Sequence, residues 1–133
     1  MREIKFRGKD KRTGRKWVYG DLIQCKDYVV ICKRTKKRKN EYETLGFEVI
    51  PETVGQFTGL LDKNGVEIYE GDIVKNEREE FITGVKYYGG AFRCESEGMP
   101  LSLYIDECYG DKELNNQLEV IGNVYENKDL LKK

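Results

Sequence analysis

The stretch Phe57-Thr58-Gly59-Leu60-Leu61-Asp62-Lys63-Asn64-Gly65-Val66-Glu67-Ile68-Tyr69-Glu70-Gly71-Asp72-Ile73-Val74 restricts the fold more than any other part of the chain. Asp62-Lys63-Asn64-Gly65 is turn chemistry: short polar side chains bond to nearby amides, and glycine or asparagine supplies a positive φ. Glu70-Gly71 is a second corner. The apolar runs between these corners are too short for helices and the right length for strands. The segment reads as strand, turn, strand, corner, strand.

The same reading extends along the chain. Residues 4–8 alternate apolar and polar, and residues 9–15 form a turn. Residues 16–23 return as a strand with Trp17, Tyr19 and Leu22 as packing residues, and Gly20 marks a bulge or a close backbone approach. Residues 28–33 are β-branched and pair back after Lys26-Asp27. Residues 34–43 read as a solvated basic loop, and residues 42–50 as a strand interrupted at Gly46. Pro51, lacking an amide proton, ends that strand. A soft boundary there divides a basic hairpin region, 1–50, from a barrel region, 51–133, within one compact unit.

Strands follow at 56–61, 66–69, 72–76, 81–88 and 91–95, with Gly89-Gly90 as a hairpin turn. Leu101, Leu103 and Ile105 alternate like a strand. Residues 112–117 suggest a helical turn, 118–125 a strand and 128–133 a short helical tail. No helix-periodic window is long enough to compete. The expected fold is all-β, made of bent sheets or a barrel, with residues 71–125 resembling an SH3-like barrel.

Charge is divided unevenly. The 24 basic and 24 acidic side chains cancel, yet residues 1–39 carry 15 basic against 4 acidic (+11) and residues 40–133 carry 9 against 20 (−11). This pattern suits an arm that binds a polyanion, or two faces that attract each other within a chain or between copies. The candidate polyanion contacts are Arg7, Lys9, Arg12, Arg15 and Lys16, then Lys33, Arg34, Lys36, Lys37, Arg38 and Lys39. The partners this allows are a second copy in a homo-oligomer, a host protein, or a nucleic acid or nucleotide.

Other chemistry is thinly supported. The chain has no histidine, which removes Ser-His and Cys-His pairs and imidazole acid–base catalysis. The four cysteines, Cys25, Cys32, Cys94 and Cys108, lack the close spacing of a zinc knuckle and read as ordinary thiols. A calcium loop over residues 62–72 fails because glycine falls in the wrong place. Glu67, Glu70 and Asp72 resemble a carboxylate cluster for metal-dependent phosphodiester hydrolysis, but short acidic side chains at corners more often serve amides. The nine tyrosines suit strand packing better than base stacking, since no ribonucleoprotein-like spacing is present. No apolar run is long enough for a membrane span and no opening segment reads as a signal peptide, so a cytoplasmic protein is expected. No cofactor, metal site or catalytic residue is assigned.

Six motifs taken together resemble the YopX family. They are Phe6-Arg7-Gly8-Lys9, Trp17-Val18-Tyr19-Gly20-Asp21-Leu22, Thr53-Val54-Gly55-Gln56-Phe57-Thr58-Gly59-Leu60, Asp62-Lys63-Asn64-Gly65, Ile68-Tyr69-Glu70-Gly71-Asp72-Ile73-Val74 and Val120-Ile121-Gly122-Asn123-Val124-Tyr125-Glu126-Asn127. The resemblance implies bifurcated β-sheets forming pseudo-barrels, and an origin in bacteriophages or prophages, with a bacterial host cell as the compartment. It assigns no catalytic residue. Trp17, Gly20, Gly59, Asp62, Gly65, Tyr69, Glu70, Gly71, Asp72, Gly122 and Asn123 then read as structural motif positions. The expected function is a non-enzymatic binding or oligomerising β module. The alternatives are a nucleic-acid-binding accessory protein using the basic patch and, last, a metal-dependent hydrolase using Glu70 and Asp72.

Overall fold

The computed structural model describes residues 2–105 and 116–132. Cys108, Tyr109 and most of the helical turn expected over 112–117 lie outside the described residues. Within them the regular structure is strand and short 3₁₀ turn, and no helix is long and apolar enough to cross a membrane. Two compact units form, Met1–Phe57 and Thr58–Lys133.

The first unit contains β1 (Phe6–Lys9), β2 (Trp17–Gln24), β3 (Val29–Arg38) and β4 (Glu41–Val49), then a 3₁₀ turn at Pro51–Thr53. The strands lie in the order β4-β3-β2-β1, all antiparallel. The start of β5 (Gly55–Leu61) pairs with β1 through Phe6↔Gln56 and Arg7↔Gly55. The sheet bends until its outer strand meets the chain after β1. There the Ile50 amide donates to Lys9 O at 2.9 Å and the Lys11 amide to Glu48 O at 3.0 Å. One bridge, Asp10↔Val49, joins them rather than a full ladder, so the sheet curls without closing.

Alternation along the strands supplies the core of this unit. Val18, Ile31 and Val49 are buried, packed by Phe6, Leu22, Val29, Phe47 and Val54. Burying a side chain such as Ile31, fully covered here, stabilises by roughly 1.5–3 kcal/mol. Gly20 is a close approach: a Cβ there would stand 2.1 Å from the carbonyl oxygen of Cys32 on the neighbouring strand. Gly46 does not interrupt β4. It leaves space for Val30, whose Cγ1 would stand 3.2 Å from an added Cβ.

The second unit continues β5 into a hairpin with β6 (Glu67–Tyr69). It then adds β7 (Asp72–Asn76), β8 (Phe81–Tyr88), β9 (Ala91–Cys94), β10 (Met99–Pro100) and β11 (Leu118–Asn123). The five run in the order β10-β9-β8-β7-β11. Gly89 and Gly90, at φ 60° and 78°, form the primed two-residue turn between β8 and β9. Ile68, Val74, Phe81, Val85, Cys94, Leu101, Tyr104, Ile105 and Leu118 form one buried cluster. Among the described residues the sheet stays open, without the SH3-like closure expected for residues 71–125.

Two local expectations are corrected. The basic loop expected over 34–43 is instead the far half of a long β3–β4 ribbon, turning only at Lys39 and Asn40. Its charges face water on both sides, so apolar alternation is absent although the ladder continues. The strand expected from Leu101, Leu103 and Ile105 is a 3₁₀ turn at Leu101–Leu103. Leu101 and Tyr104 are buried while Leu103 is exposed, a spacing of three that suits 3₁₀ geometry.

Candidate functional site

The motif residues of the second unit are occupied by backbone. Asp62 is 3% exposed. Its Oδ1 accepts from the Asn64 amide at 2.8 Å and the Val66 amide at 2.9 Å, and its Oδ2 from the Val120 amide at 2.9 Å. The carboxylate thereby shapes the β5–β6 turn and ties it to β11. Asp72 Oδ2 accepts from the Tyr69 amide at 2.8 Å across the corner that Gly71 makes, and the Tyr69 hydroxyl donates to Glu67 at 3.2 Å. Gly65 and Gly71 hold φ of 81° and 94°. Glu70 is half-buried beside this corner, and Gly59 sits within β5 at φ 84°. At the end of β11, Asn123 Oδ1 accepts from the amides of Tyr125 and Glu126, both at 3.0 Å. Gly122 gives the Asn127 side chain room: a Cβ there would stand 2.6 Å from Asn127 Oδ1.

The basic residues fall into two groups. Lys33, Arg34, Lys36, Lys37, Arg38 and Lys39 line β3 and its turn, and all are exposed. The register sets Arg34 opposite Thr44, Lys36 opposite Tyr42 and Arg38 opposite Glu41, with a bulge between Lys36 and Arg38. Arg34 and Lys36 thus share a face with Tyr42, and the Arg34 guanidinium lies 4.4 Å from the Tyr42 ring centre. Among the described residues, no carboxylate comes within ion-pair distance of these six cations. They form a positive ribbon.

The second group surrounds the β1–β2 turn. Asp10 organises it: its Oδ1 accepts from the Arg12 amide at 3.0 Å, its own amide donates to Lys16 O at 2.8 Å, and its carbonyl accepts from Gly14 at 2.7 Å. Thr13 Oγ1 accepts from the amides of Arg15 and Lys16, at 3.3 and 3.4 Å. A groove of ≈ 320 Å³ lies beside this turn. Its lining includes Arg12 and Lys16 from the turn, Val18 from β2, Lys33 from β3 and Phe47 from β4. Arg15 is exposed nearby. Arg7 does not belong to this solvated group. It is 6% exposed, with its guanidinium 4.7 Å from the Trp17 ring centre. Lys9 is half-buried, its ammonium 5.5 Å from the same ring.

Phe47 was missed as a lining residue because only the bend of the sheet, marked by the Asp10↔Val49 bridge, carries β4 to the turn formed by residues 10–16. Asp10 carried a local signal, an acidic residue opening a turn, but its near-complete burial shows only in three dimensions.

The thiols offer little chemistry. Cys25 and Cys32 are half-buried and free. Burial in the core pushes the Cys94 thiol up to about 12, with the nearby Glu97 charge adding to it. A thiol so disposed stays protonated and unreactive at neutral pH.

Among solved structures, the chain is similar to the crystal structure of protein EF1440 from Enterococcus faecalis. The identity is 24% and the TM-score 0.61, over 99% of this chain and 100% of that one, a likeness of fold. No curated protein matches the sequence. The model of the YopX protein family matches residues 5–132, nearly end to end. The chain belongs to the YopX family.

Proposed function

We propose that this YopX-family chain is a non-enzymatic binding protein, phage- or prophage-derived and acting in the cytoplasm of a bacterial host, whose β3–β4 ribbon meets an anionic polymer, nucleic acid foremost. The observation that carries this reading is the ribbon itself. Six exposed cations lie on one hairpin, and no carboxylate among the described residues lies close enough to neutralise them. Holding like charges together in this way costs self-repulsion that a bound polyanion relieves. Two-stranded ribbons also have the dimensions to enter a nucleic-acid groove. A non-enzymatic role is supported by the use of Asp62 and Asp72, whose carboxylate oxygens accept from buried corners and turns.

The test is electrophoretic mobility at low salt with single- and double-stranded DNA. The wild-type chain retards at least one of them, and replacing Lys36, Lys37, Arg38 and Lys39 by alanine weakens the shift. Absence of any shift with the wild type contradicts the reading.

A second reading has its own support. The +11/−11 division between residues 1–39 and 40–133 suits head-to-tail contact between copies, the ribbon of one meeting the acidic part of the next. Light scattering then shows a homo-oligomer that dissociates as salt rises. A monomer at all salt concentrations removes it.

A further inference from the structure

We infer that the outer edge of β4 pairs with the same edge of a second copy, antiparallel and about a two-fold axis that sets Thr44 opposite Thr44. The contact depends on neither the polyanion reading nor the head-to-tail arrangement.

β4 ends the strand order of its sheet. Its bonds to the chain after β1 fix which residues look outward. Glu48 O accepts from the Lys11 amide and the Ile50 amide donates to Lys9 O. The even-numbered residues of β4 therefore present amides and carbonyls away from β3. Short of Glu48 these are Gly46, Thr44 and Tyr42, all exposed. Among the described residues none of the three has a backbone partner on that side. A cavity of ≈ 390 Å³, lined by Arg12, Gly46 and Phe47 where the turn leaves the edge, gives an incoming strand room. An unpaired edge of this kind is a template for another strand.

The side chains select the occupant and the register. A two-fold at Thr44 sets Tyr42 against Gly46 of the second copy, and Glu43 against its Leu45. Tyr42, held by Arg34 yet 55% exposed, then covers a glycine that brings no side chain of its own. Thr44 against Thr44 is a favourable cross-strand pair, and no like charges stand directly opposite. Lys33 pairs with Leu45 in the β3–β4 register and shares its face. Lys33 of the second copy thus lies one strand beyond Leu45, toward Glu43, its opposite in charge. Moving the axis to Glu43 would set that carboxylate against itself. Moving it to Leu45 would require the Glu48 carbonyl that Lys11 already holds. The contact is isologous and stops at two copies. It places the two β3 strands roughly 14 Å apart, three strand spacings, each with its own row of cations.

The experiment follows sedimentation and amide hydrogen exchange of the full chain together, across protein concentration and salt. A dimer forms, and the amides of Tyr42, Thr44 and Gly46 exchange fast in dilute solution and slowly in concentrated solution. Raising salt tightens this dimer, because screening relieves repulsion between the two ribbons. Head-to-tail contact would loosen instead. Thr44→Pro removes both bonds of the central pair and weakens the dimer about tenfold or more. Its melting temperature in dilute solution matches wild type, since an edge amide facing water is the place a strand accepts proline. Thr44→Lys keeps the amide, sets like charges opposite one another and weakens the dimer about threefold. A monomer at every concentration overturns the inference. So does a dimer that dissociates as salt rises, or one in which those three amides exchange at the same rate at all concentrations.

Discussion

The Asp62 carboxylate accepts a hydrogen bond from the Val120 amide at 2.9 Å, joining residues 58 positions apart. The same side chain closes its own turn through Asn64 and Val66. One buried carboxylate thus fixes both a hairpin and the strand packed beside it. Its motif position is explained by amides, with no need of a reacting group.

Asp62→Ala leaves three amide donors without their acceptor. It lowers stability by roughly 2–3 kcal/mol, the usual cost of stripping charged-acceptor bonds from buried donors. Glu70→Ala, at the neighbouring corner, changes stability by less than about 0.5 kcal/mol. Urea unfolding of the two variants beside wild type makes the comparison. Equal losses would mean that the Asp62 bonds do not carry the turn.

Gly20 answers to crowding from a backbone atom, which cannot swing aside. Gly20→Ala forces β2 and β3 apart where Asp21 pairs with Cys32, and costs roughly 3 kcal/mol, the upper end for overpacking. Gly65→Ala has open space around the new methyl and only its φ of 81° to resist it. It costs about 1 kcal/mol. Thermal melts that rank Gly65→Ala as the more damaging would contradict the close approach.

Cys94 makes stability fall in alkali. The folded thiol keeps its proton up to about 12. The unfolded thiol ionises from about 8.5. Between those values the unfolded state binds fewer protons, so stability declines as pH rises, and below them Cys94 contributes no pH dependence. The urea midpoint of wild type therefore drops more steeply above pH ~8.5 than that of Cys94→Ala. Parallel profiles would show that Cys94 titrates normally. Thiol labelling mapped by mass spectrometry also modifies Cys25 and Cys32 before Cys94.

What the sequence revealed was local. Asp62-Lys63-Asn64-Gly65, the Gly89-Gly90 turn and the strand at Asp72–Asn76 stand where turn chemistry and β-branched runs put them. What it hid depended on partners distant in the chain. The ribbon beyond Arg34 is a strand because Glu41, Tyr42, Glu43 and Thr44 pair with it, and a run of charged residues gives no apolar period to detect. Over the five residues from Leu101 to Ile105, spacings of two and three fit nearly equally well, and burial of Tyr104 decides for three. Barrel closure over residues 71–125 was read from a strand opening at Gly71-Asp72, a long hairpin and a last strand, an order that carries no information on whether edge strands meet. The groove was invisible because Phe47 and Arg12 become neighbours only once the first sheet bends.

The ribbon as a polyanion surface is tested most directly by salt. Binding of a labelled DNA strand, measured by anisotropy across a salt series, gives a straight line of log K against log salt with a steep negative slope. In the variant with Lys36, Lys37, Arg38 and Lys39 replaced by alanine, the slope becomes shallower by about 3, close to one per lost phosphate contact, while the melting temperature is unchanged. A slope identical in wild type and variant, or binding indifferent to salt, would contradict it.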